Sequence, residues 1–322
     1  MDGNYGFVGL GAMGYAMAGN IRKKIPATST LFIYDVHRPS CERFVSEYEA
    51  IGPVVITGSV KDLAITSEVV VSIVPTADNV RQVYLDQQNG LSAAPKNPQR
   101  LILECSTIES ASTREIGETL KASGHGHYVD SPVSGGVPAA EAGTLSFMIG
   151  SERPSESESA GSVAARINHV LTMLGKPEKL FWCGKLGAGL AAKISNNYIS
   201  CTFLLVIAEA MAMGIRNGID PKLLQEVIHN SSGQSFMGDH VNPVPGVVAH
   251  APSSNNWKLG FKTQMMIKDI GLGIDAAKQV GITPTMAEAA IEVWKKAAKD
   301  PRCIDRDGSS VWLHINDIKE DK

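Results

Sequence analysis

Two patterns of apolar residues divide this chain. Up to residue 186, short aliphatic or aromatic runs of strand length recur. They are "YGFVGL" at 5–10, "LFIYD" at 31–35, "VVIT" at 54–57, "VVVSIV" at 69–74 and "RLILEC" at 100–105. "HYVDS" at 127–131, "LSFMIG" at 145–150 and "KLFWC" at 179–183 continue the series. Between several of them lie stretches of helical spacing, at 13–24, 39–48 and 111–123. Strand–helix alternation of this kind predicts an α/β fold, a Rossmann-type, mostly parallel, doubly wound sheet.

After residue 187 the strand pattern stops. Residues 190–217 read as one long helix, apolar nearly throughout from 199 to 215. A helix apolar on all sides is expected to be buried on all sides, as a spine between two domains or two subunits. "DPKLLQEVIHN" opens with Asp220 as N-cap and Pro221 at the first helical position. Helices at 262–280 and 285–299 complete the second half, the latter with a predicted capping box between Thr285 and Glu288. The expected organisation is a dinucleotide-binding domain over 1–186, an interdomain helix over 187–217 and an all-α substrate and dimerisation domain over 218–322. "NPVPG" at 242–246 reads as a rigid loop and the polar run at 151–162 as a surface loop.

Composition narrows the function classes. With 43% hydrophobic and 20% charged residues the chain has the make-up of a globular enzyme, and its net charge of −3 gives no nucleic-acid footprint. The longest uncharged run in the long helix, 194–208, holds two asparagines and falls short of the roughly 20 apolar residues of a membrane span. No membrane partner is therefore expected. Five scattered cysteines, with no C-x-x-C pair, read as reduced thiols in an intracellular compartment and not as a disulfide frame or a metal site. An apolar strand begins by residue 5, so no presequence is visible. The expected compartment is the mitochondrial matrix if one was removed and the cytoplasm otherwise.

"GLGAMG" at 9–14 directly follows the first strand and directly precedes a helix. A lone G-x-G-x-x-G means little; this context gives it meaning. Gly9 permits a tight turn, Gly11 admits a pyrophosphate to the backbone, and Gly14 lets helix and strand approach. Leu10, Ala12 and Met13 complete the loop and offer N–H groups at the helix N-terminus. Asp35 ends the second strand, 21 residues after Gly14. A carboxylate there accepts from the ribose hydroxyls and repels a 2′-phosphate, which points to NAD. Arg38 keeps NADP open as an alternative. Two further strand ends, "VPTADN" at 74–79 and "ECSTI" at 104–108, open polar loops where such sheets bind ligands, although each also reads as a helix-capping turn.

"DSPVSGGVPAAEAGTL" at 130–145 follows another strand. Ser134, Gly135 and Gly136 offer a hydroxyl and successive N–H groups that can hold a carboxylate, or form a plain Ser-Gly-Gly turn. In "GAGLAAKISNN" at 187–197, Lys193 and Asn197 lie four apart and share a helix face. A lysine there can take the hydroxyl proton of an alcohol as hydride leaves, or return it to a developing alkoxide. Asn197 can orient that hydroxyl or the amine. The bland alternative is a lysine reaching solvent from a helix start.

Taken together, these stretches resemble the β-hydroxyacid dehydrogenase family. Its pattern is G-x-G-x-M-G, a strand-end S-T, D-x-P-V-S-G-G with G-T-L downstream, G-x-G-x-x-x-K-x-x-N-N and a late K-D-x-x-L-A. Here stand "GLGAMG", "CSTI", "DSPVSGG…GTLSFMIG", "GAGLAAKISNN" and "KDIGLG", in that order. "NPVPGV", "SSNNW" and "LGFKTQMMIKDIGL" resemble the 3-hydroxyisobutyrate dehydrogenase branch. The resemblance implies a C-terminal domain like that of 6-phosphogluconate dehydrogenase. The apolar spine helix suggests a buried dimer seam, so a homodimer or homotetramer is expected. It implies Lys193 as the catalytic residue, with Ser134, Gly135, Gly136 and Asn197 contacting a small β-hydroxy acid. It places Val74, Pro75, Asn79, Thr107 and Lys268 at the cofactor. Lys268 and Asp269 by themselves read as a solvated helix face. Phe236, Met237, His240 and Trp257 are candidates for shaping the substrate pocket, and Gly273 replaces the family's usual alanine, an exchange expected to be harmless. An NADPH-dependent imine reductase and a cofactor sensor without chemistry are the rivals. The presence of Asp35 and of the Lys193–Asn197 pair speaks against them.

Overall fold

Four consecutive buried residues, Tyr5–Val8, form the first strand, β1. Strands buried on both faces are what a helix-covered parallel sheet demands. Strands β2 (Leu31–Tyr34), β3 (Val54–Ile56), β4 (Val69–Ser72), β5 (Leu101–Glu104) and β6 (His127–Asp130) follow. In this computed structural model, which describes residues 3–155, 157–159, 161–258 and 260–317, they pair in parallel in the order β3-β2-β1-β4-β5-β6. That is the doubly wound Rossmann order, and its direction reverses between β1 and β4, where such sheets bind ligands beyond the carboxyl ends of the strands. The crossovers are α1 (Ala12–Lys24), α2 (Arg38–Tyr48), α3 (Val60–Thr66), α4 (Ala77–Leu85) and α5 (Ser110–Ser123).

The strands expected at 145–150 and 179–183 do not extend this sheet. They form β8 (Leu145–Ile149) and β9 (Gly175–Trp182), which pair with a two-residue strand, β7 (Val133–Ser134), in a separate three-stranded sheet. β7 runs antiparallel to β8, and β9 parallel to it. The physical reason is visible in burial: β8 alternates buried and half-buried positions, and β9 is mostly exposed. One wet face marks a strand outside a sandwiched parallel sheet. Helices α6 (Gly136–Ala142) and α7 (Val163–Leu171) lie between its strands in sequence. The loop predicted at 151–162 is mostly exposed; its Glu156 and Ala160 lie outside the described residues.

The chain divides into two compact units, Met1–Lys193 and Ile194–Lys322. The first has a core in which Phe7, Leu31, Ile33, Val71 and Leu103 meet Met17, Ile21 and Phe44. The division falls inside a single continuous helix, α8 (Ala188–Arg216). The second unit is helical: α9 (Pro221–His229), α10 (Phe236–His240), α11 (Thr263–Gln279), α12 (Thr285–Ala297) and α13 (Val311–Ile315). Leu204, Ala208 and Met211 of α8 join Ile270, Trp294 and Val311 in its core.

Helix α8 is not buried all round, as its composition led one to expect. Ile199, Phe203, Val206 and Met213 are exposed. By length and composition it is also apolar enough to cross a membrane, but half of its most apolar stretch is buried inside the protein. Asp220 caps α9 as expected, accepting the N–H groups of Lys222 and Leu223, each at 3.0 Å. The capping box on α12 is absent. Pro284 occupies the N-cap position, and Glu288 pairs with Lys278 at 2.7 Å. Proline at the cap has no side-chain oxygen to offer, and Thr285 stands at the first helical position instead. The "NPVPG" loop is pinned by fully buried Asn242, which donates to Gln225 Oε1 at 2.7 Å and accepts from the Val244 N–H at 3.0 Å.

Candidate functional site

The Gly-rich loop is built as a phosphate cradle. Gly9 has φ of 94°, a region that favours glycine, and a Cβ there would lie 2.2 Å from the Ile73 carbonyl oxygen. A Cβ on Gly14 would lie 1.9 Å from the Gly9 carbonyl oxygen, so only glycine lets α1 start this close to β1. Gly11 differs: nothing lies within 4 Å of a Cβ built on it. The backbone there borders open space. No side chain caps α1 and its first turn holds no acid, so the N–H groups of Ala12, Met13 and Gly14 keep their partial positive charge for an anion. These features fit a dinucleotide pyrophosphate.

Asp35, just past β2, is held against this loop. Its carboxylate accepts the N–H of Leu10 at 2.5 Å and that of His37 at 2.7 Å, one on each oxygen. Each oxygen keeps a second lone pair for a ribose hydroxyl. Arg38 lies 3.6 Å from Glu42 on the exposed surface of α2.

The two neighbouring strand ends are tied to each other. The Val74 N–H donates to Ser106 Oγ at 2.7 Å, and the Ser106 N–H donates to Glu104 Oε1 at 2.7 Å. Ser72 Oγ donates to the other Glu104 oxygen and also bonds Tyr84 Oη. Burial raises the Glu104 carboxyl, and these hydrogen bonds oppose the shift. The sequence pointed to Thr107, and the residues that shape its loop are Glu104 and Ser106. Burial pushes the Cys105 thiol up to about 12, which disfavours the thiolate. Thr76 caps α4, accepting the Asn79 N–H at 3.2 Å and donating to Asn79 Oδ1 at 2.8 Å. The capping reading of "VPTADN" thus holds for Asn79, which is half-buried beside exposed Pro75.

Downstream of β6, Gly135 and Gly136 have φ of 133° and 68°. Ser134 ends β7 beside them, half-buried. Two successive glycines with positive φ turn the chain sharply; a Cβ on Gly135 would lie 2.6 Å from that of Ala139, whereas one on Gly136 would meet only Pro138, at 3.8 Å.

Lys193 and Asn197 share one face of α8, and both are buried, at 8% and 7% exposure. Within the second unit, Asn197 Nδ2 donates to Asp269 Oδ2 at 2.7 Å. Asp269 is 3% exposed, which overturns the solvated-face reading for it. It lies on the buried face of α11 with Met266 and Gly273, three before and four after it; that spacing was the signal in the sequence. Lys268 is less buried, with Nζ 3.9 Å from Asp269 Oδ1. Gly273 also has a local reason: a Cβ there would meet the Tyr198 ring at 2.9 Å.

Of the residues expected to shape a pocket, Trp257 and Met237 pack partly buried against the core of their own unit, and the Arg306 guanidinium sits 5.7 Å from the centre of the Trp257 ring. Phe236 is 66% exposed, against His240 at 4.7 Å between ring centres. Leu259, in the stretch that carries the branch resemblance, lies outside the described residues.

Residues 4–184 match the family model described as the NAD-binding domain of 6-phosphogluconate dehydrogenase. Residues 187–313 match that described as the NAD-binding domain of NADP-dependent 3-hydroxyisobutyrate dehydrogenase. The chain is 36% identical to the mitochondrial 3-hydroxyisobutyrate dehydrogenase of Homo sapiens, over 90% of this chain and 80% of that protein. It is 33% identical to an NAD-dependent L-serine dehydrogenase of Pseudomonas aeruginosa, over 91% of each. Among solved structures, Mycobacterium tuberculosis 3-hydroxyisobutyrate dehydrogenase with L-serine superposes with a TM-score of 0.83 at 32% identity. The match covers 98% of this chain and 99% of that one.

Proposed function

The chain belongs to the β-hydroxyacid dehydrogenase family, NAD(P)-dependent oxidoreductases acting on CH–OH groups, and we propose that its substrate is 3-hydroxyisobutyrate, oxidised to methylmalonate semialdehyde with Lys193 as general base. The observation that carries the mechanism is a lysine at 8% exposure, one helical turn from a buried asparagine, in the first turns of α8. Buried lysines are rare without a task, and a lysine amine can serve as the proton acceptor of an alcohol oxidation.

In this reading the Ser134 hydroxyl and the backbone N–H groups of Gly135 and Gly136 hold the substrate carboxylate. Lys193 takes the hydroxyl proton, and the ammonium so formed returns it in the reverse direction. Asn197, fixed through Nδ2 by Asp269, presents its carbonyl oxygen to the amine or hydroxyl. The backbone of residues 9–14 holds the pyrophosphate and Asp35 the adenosine ribose, with Asp35 favouring NAD over NADP. Val74, Pro75, Asn79, Thr107 and Lys268 are assigned to the cofactor on the family resemblance. The chemistry that NAD supplies when bound is acceptance of the hydride from the carbinol carbon.

L-Serine is the second reading, favoured by the serine dehydrogenase relative and by the serine in the tuberculosis enzyme's structure. A homodimer or homotetramer is part of the proposal, supported by the exposed apolar face of α8 formed by Ile199, Phe203, Val206 and Met213.

The test is absorbance of the reduced nicotinamide with NAD or NADP. The panel is 3-hydroxyisobutyrate, L-serine, 3-hydroxypropionate, glycerate and 4-hydroxybutyrate. Turnover of 3-hydroxyisobutyrate with NAD well above the others is expected. A preference for serine moves the assignment to the second reading, and turnover with NADP alone overturns the role given to Asp35.

A further inference from the structure

The aspartate that opens "DSPVSGG" has no part in the reaction described above, yet it is fully buried at the end of β6. Its carboxylate faces the start of α8. Asp130 Oδ1 accepts the N–H of Gly187 and Oδ2 accepts that of Leu190, both at 2.8 Å. These two donors bracket the first turn of the helix, and a helix start leaves such N–H groups without partners of its own. The seat is made by glycines. A Cβ on Gly150 would lie 1.8 Å from Asp130 Oδ1, and one on Gly189 would lie 2.9 Å from Oδ2 and 2.3 Å from the Met148 carbonyl oxygen. Gly187 has φ of 86°. Arg114, on α5, is the cation acting on this carboxylate, and a Cβ on Gly187 would meet its guanidinium at 2.7 Å. Burial raises the Asp130 carboxyl, while the two N–H groups and Arg114 pull it back toward ionisation.

Lys193 follows Leu190 by three residues, so whatever fixes the Leu190 N–H fixes the turn that carries the lysine. Ser134 follows Asp130 by four. One side chain therefore joins the segment assigned to the substrate carboxylate to the segment that carries the base, all within the N-terminal unit. We propose that Asp130 is a positioning residue, whose carboxylate seats the first turn of α8 and sets where the Lys193 amine stands relative to Ser134–Gly136. This inference rests on the reading of Lys193 as the proton acceptor. Asp130 transfers no proton itself.

Asp130→Asn keeps the shape and removes one of the two acceptors, so that an amide NH2 faces a backbone N–H and the first turn shifts. Misplacing a reacting group by about 1 Å costs about 100-fold in rate. The expected result is a kcat about 100-fold lower, with the KM for the hydroxy acid and the Kd for NADH within about twofold of the parent. The solvent deuterium isotope effect on kcat should rise, because proton transfer to a displaced amine becomes the slow step. A kcat within twofold of the parent overturns the inference. So does a lower kcat accompanied by parallel losses in KM and NADH affinity with an unchanged isotope effect, since that is the mark of general structural damage.

Lys193→Ala is assayed alongside. If it alone turns over normally, the lysine reading has failed and this inference falls with it. If it is inactive while Asp130→Asn is normal, only the positioning role has failed. Should Asp130→Asn not fold, amide hydrogen exchange of the parent protein decides. Protection of Gly187 and Leu190 equal to that of the sheet core supports the seat, and exchange at loop rates overturns it.

Discussion

Helix α1 begins with no side chain on its free N–H groups, whereas helix α8 begins with a buried carboxylate from another strand on two of its own. Both starts follow glycines and both lie in the N-terminal unit. The first is left open: Gly11 borders empty space, and Asp35 binds the Leu10 N–H at the loop's other shoulder. The second is closed, because Asp130 occupies the place where an anion would sit. A partial positive charge at a helix start thus has two uses: left free, it recruits a phosphate; neutralised from within, it fixes the helix. On the proposed reading the difference separates binding from positioning, and substitutions can probe each alone.

The largest effect is expected from the positioned helix. Lys193→Ala should lower kcat by about 1000-fold, within the usual range for losing a general base, and leave the Kd for NADH unchanged. Near-normal turnover would remove the reason for closing α8 at all. At the open start, Asp35→Ala should cut the preference for NAD over NADP by about 10-fold, the worth of a charge-assisted hydrogen bond, measured as the ratio of kcat/KM values. Gly11→Ala sharpens the contrast further. Because no protein atom meets the new methyl group, thermal stability should match the parent, while NADH binding by fluorescence titration weakens about 10-fold. Unchanged NADH affinity would show that the space beside Gly11 is not where the pyrophosphate sits.

The open start was legible in the sequence and the closed one was not. Strand, glycine spacing and Asp35 are local signals, so periodicity and a short motif sufficed to place them. The Lys193–Asn197 pair was legible for the same reason, being four residues apart on one helix. Asp130 is 57 residues from Gly187 and Asp269 is 72 from Asn197. Nothing in a one-dimensional pattern joins such distant positions: the spacing of Asp269 with Met266 and Gly273 marks a buried face but not the partner met there. The same limit explains the strands. Runs at 145–150 and 179–183 were recognisable as β, but which sheet they join depends on partners, and two-residue β7 is too short to leave a pattern. Polyapolar α8 misled in the opposite direction, since composition counts residues and does not say what covers them.

The smallest effect serves as the control for the comparison. Helix α9 has an ordinary cap, in which Asp220 bonds the N–H groups of its own first turn from the position just before it. Asp220→Ala should cost about 1 kcal/mol, the usual worth of an N-cap, visible as a fall of a few degrees in Tm. Its kcat should stay at the parental value, because no reacting group is carried on the turn it fixes. If capping loss at α9 lowered kcat as much as the change at Asp130, the effect at α8 would report only the stability of a helix start. If Tm falls in both variants and kcat in one, the difference lies in what stands one turn further along the helix: Lys193 on α8, and on α9 a face whose Leu223 and Val227 are exposed.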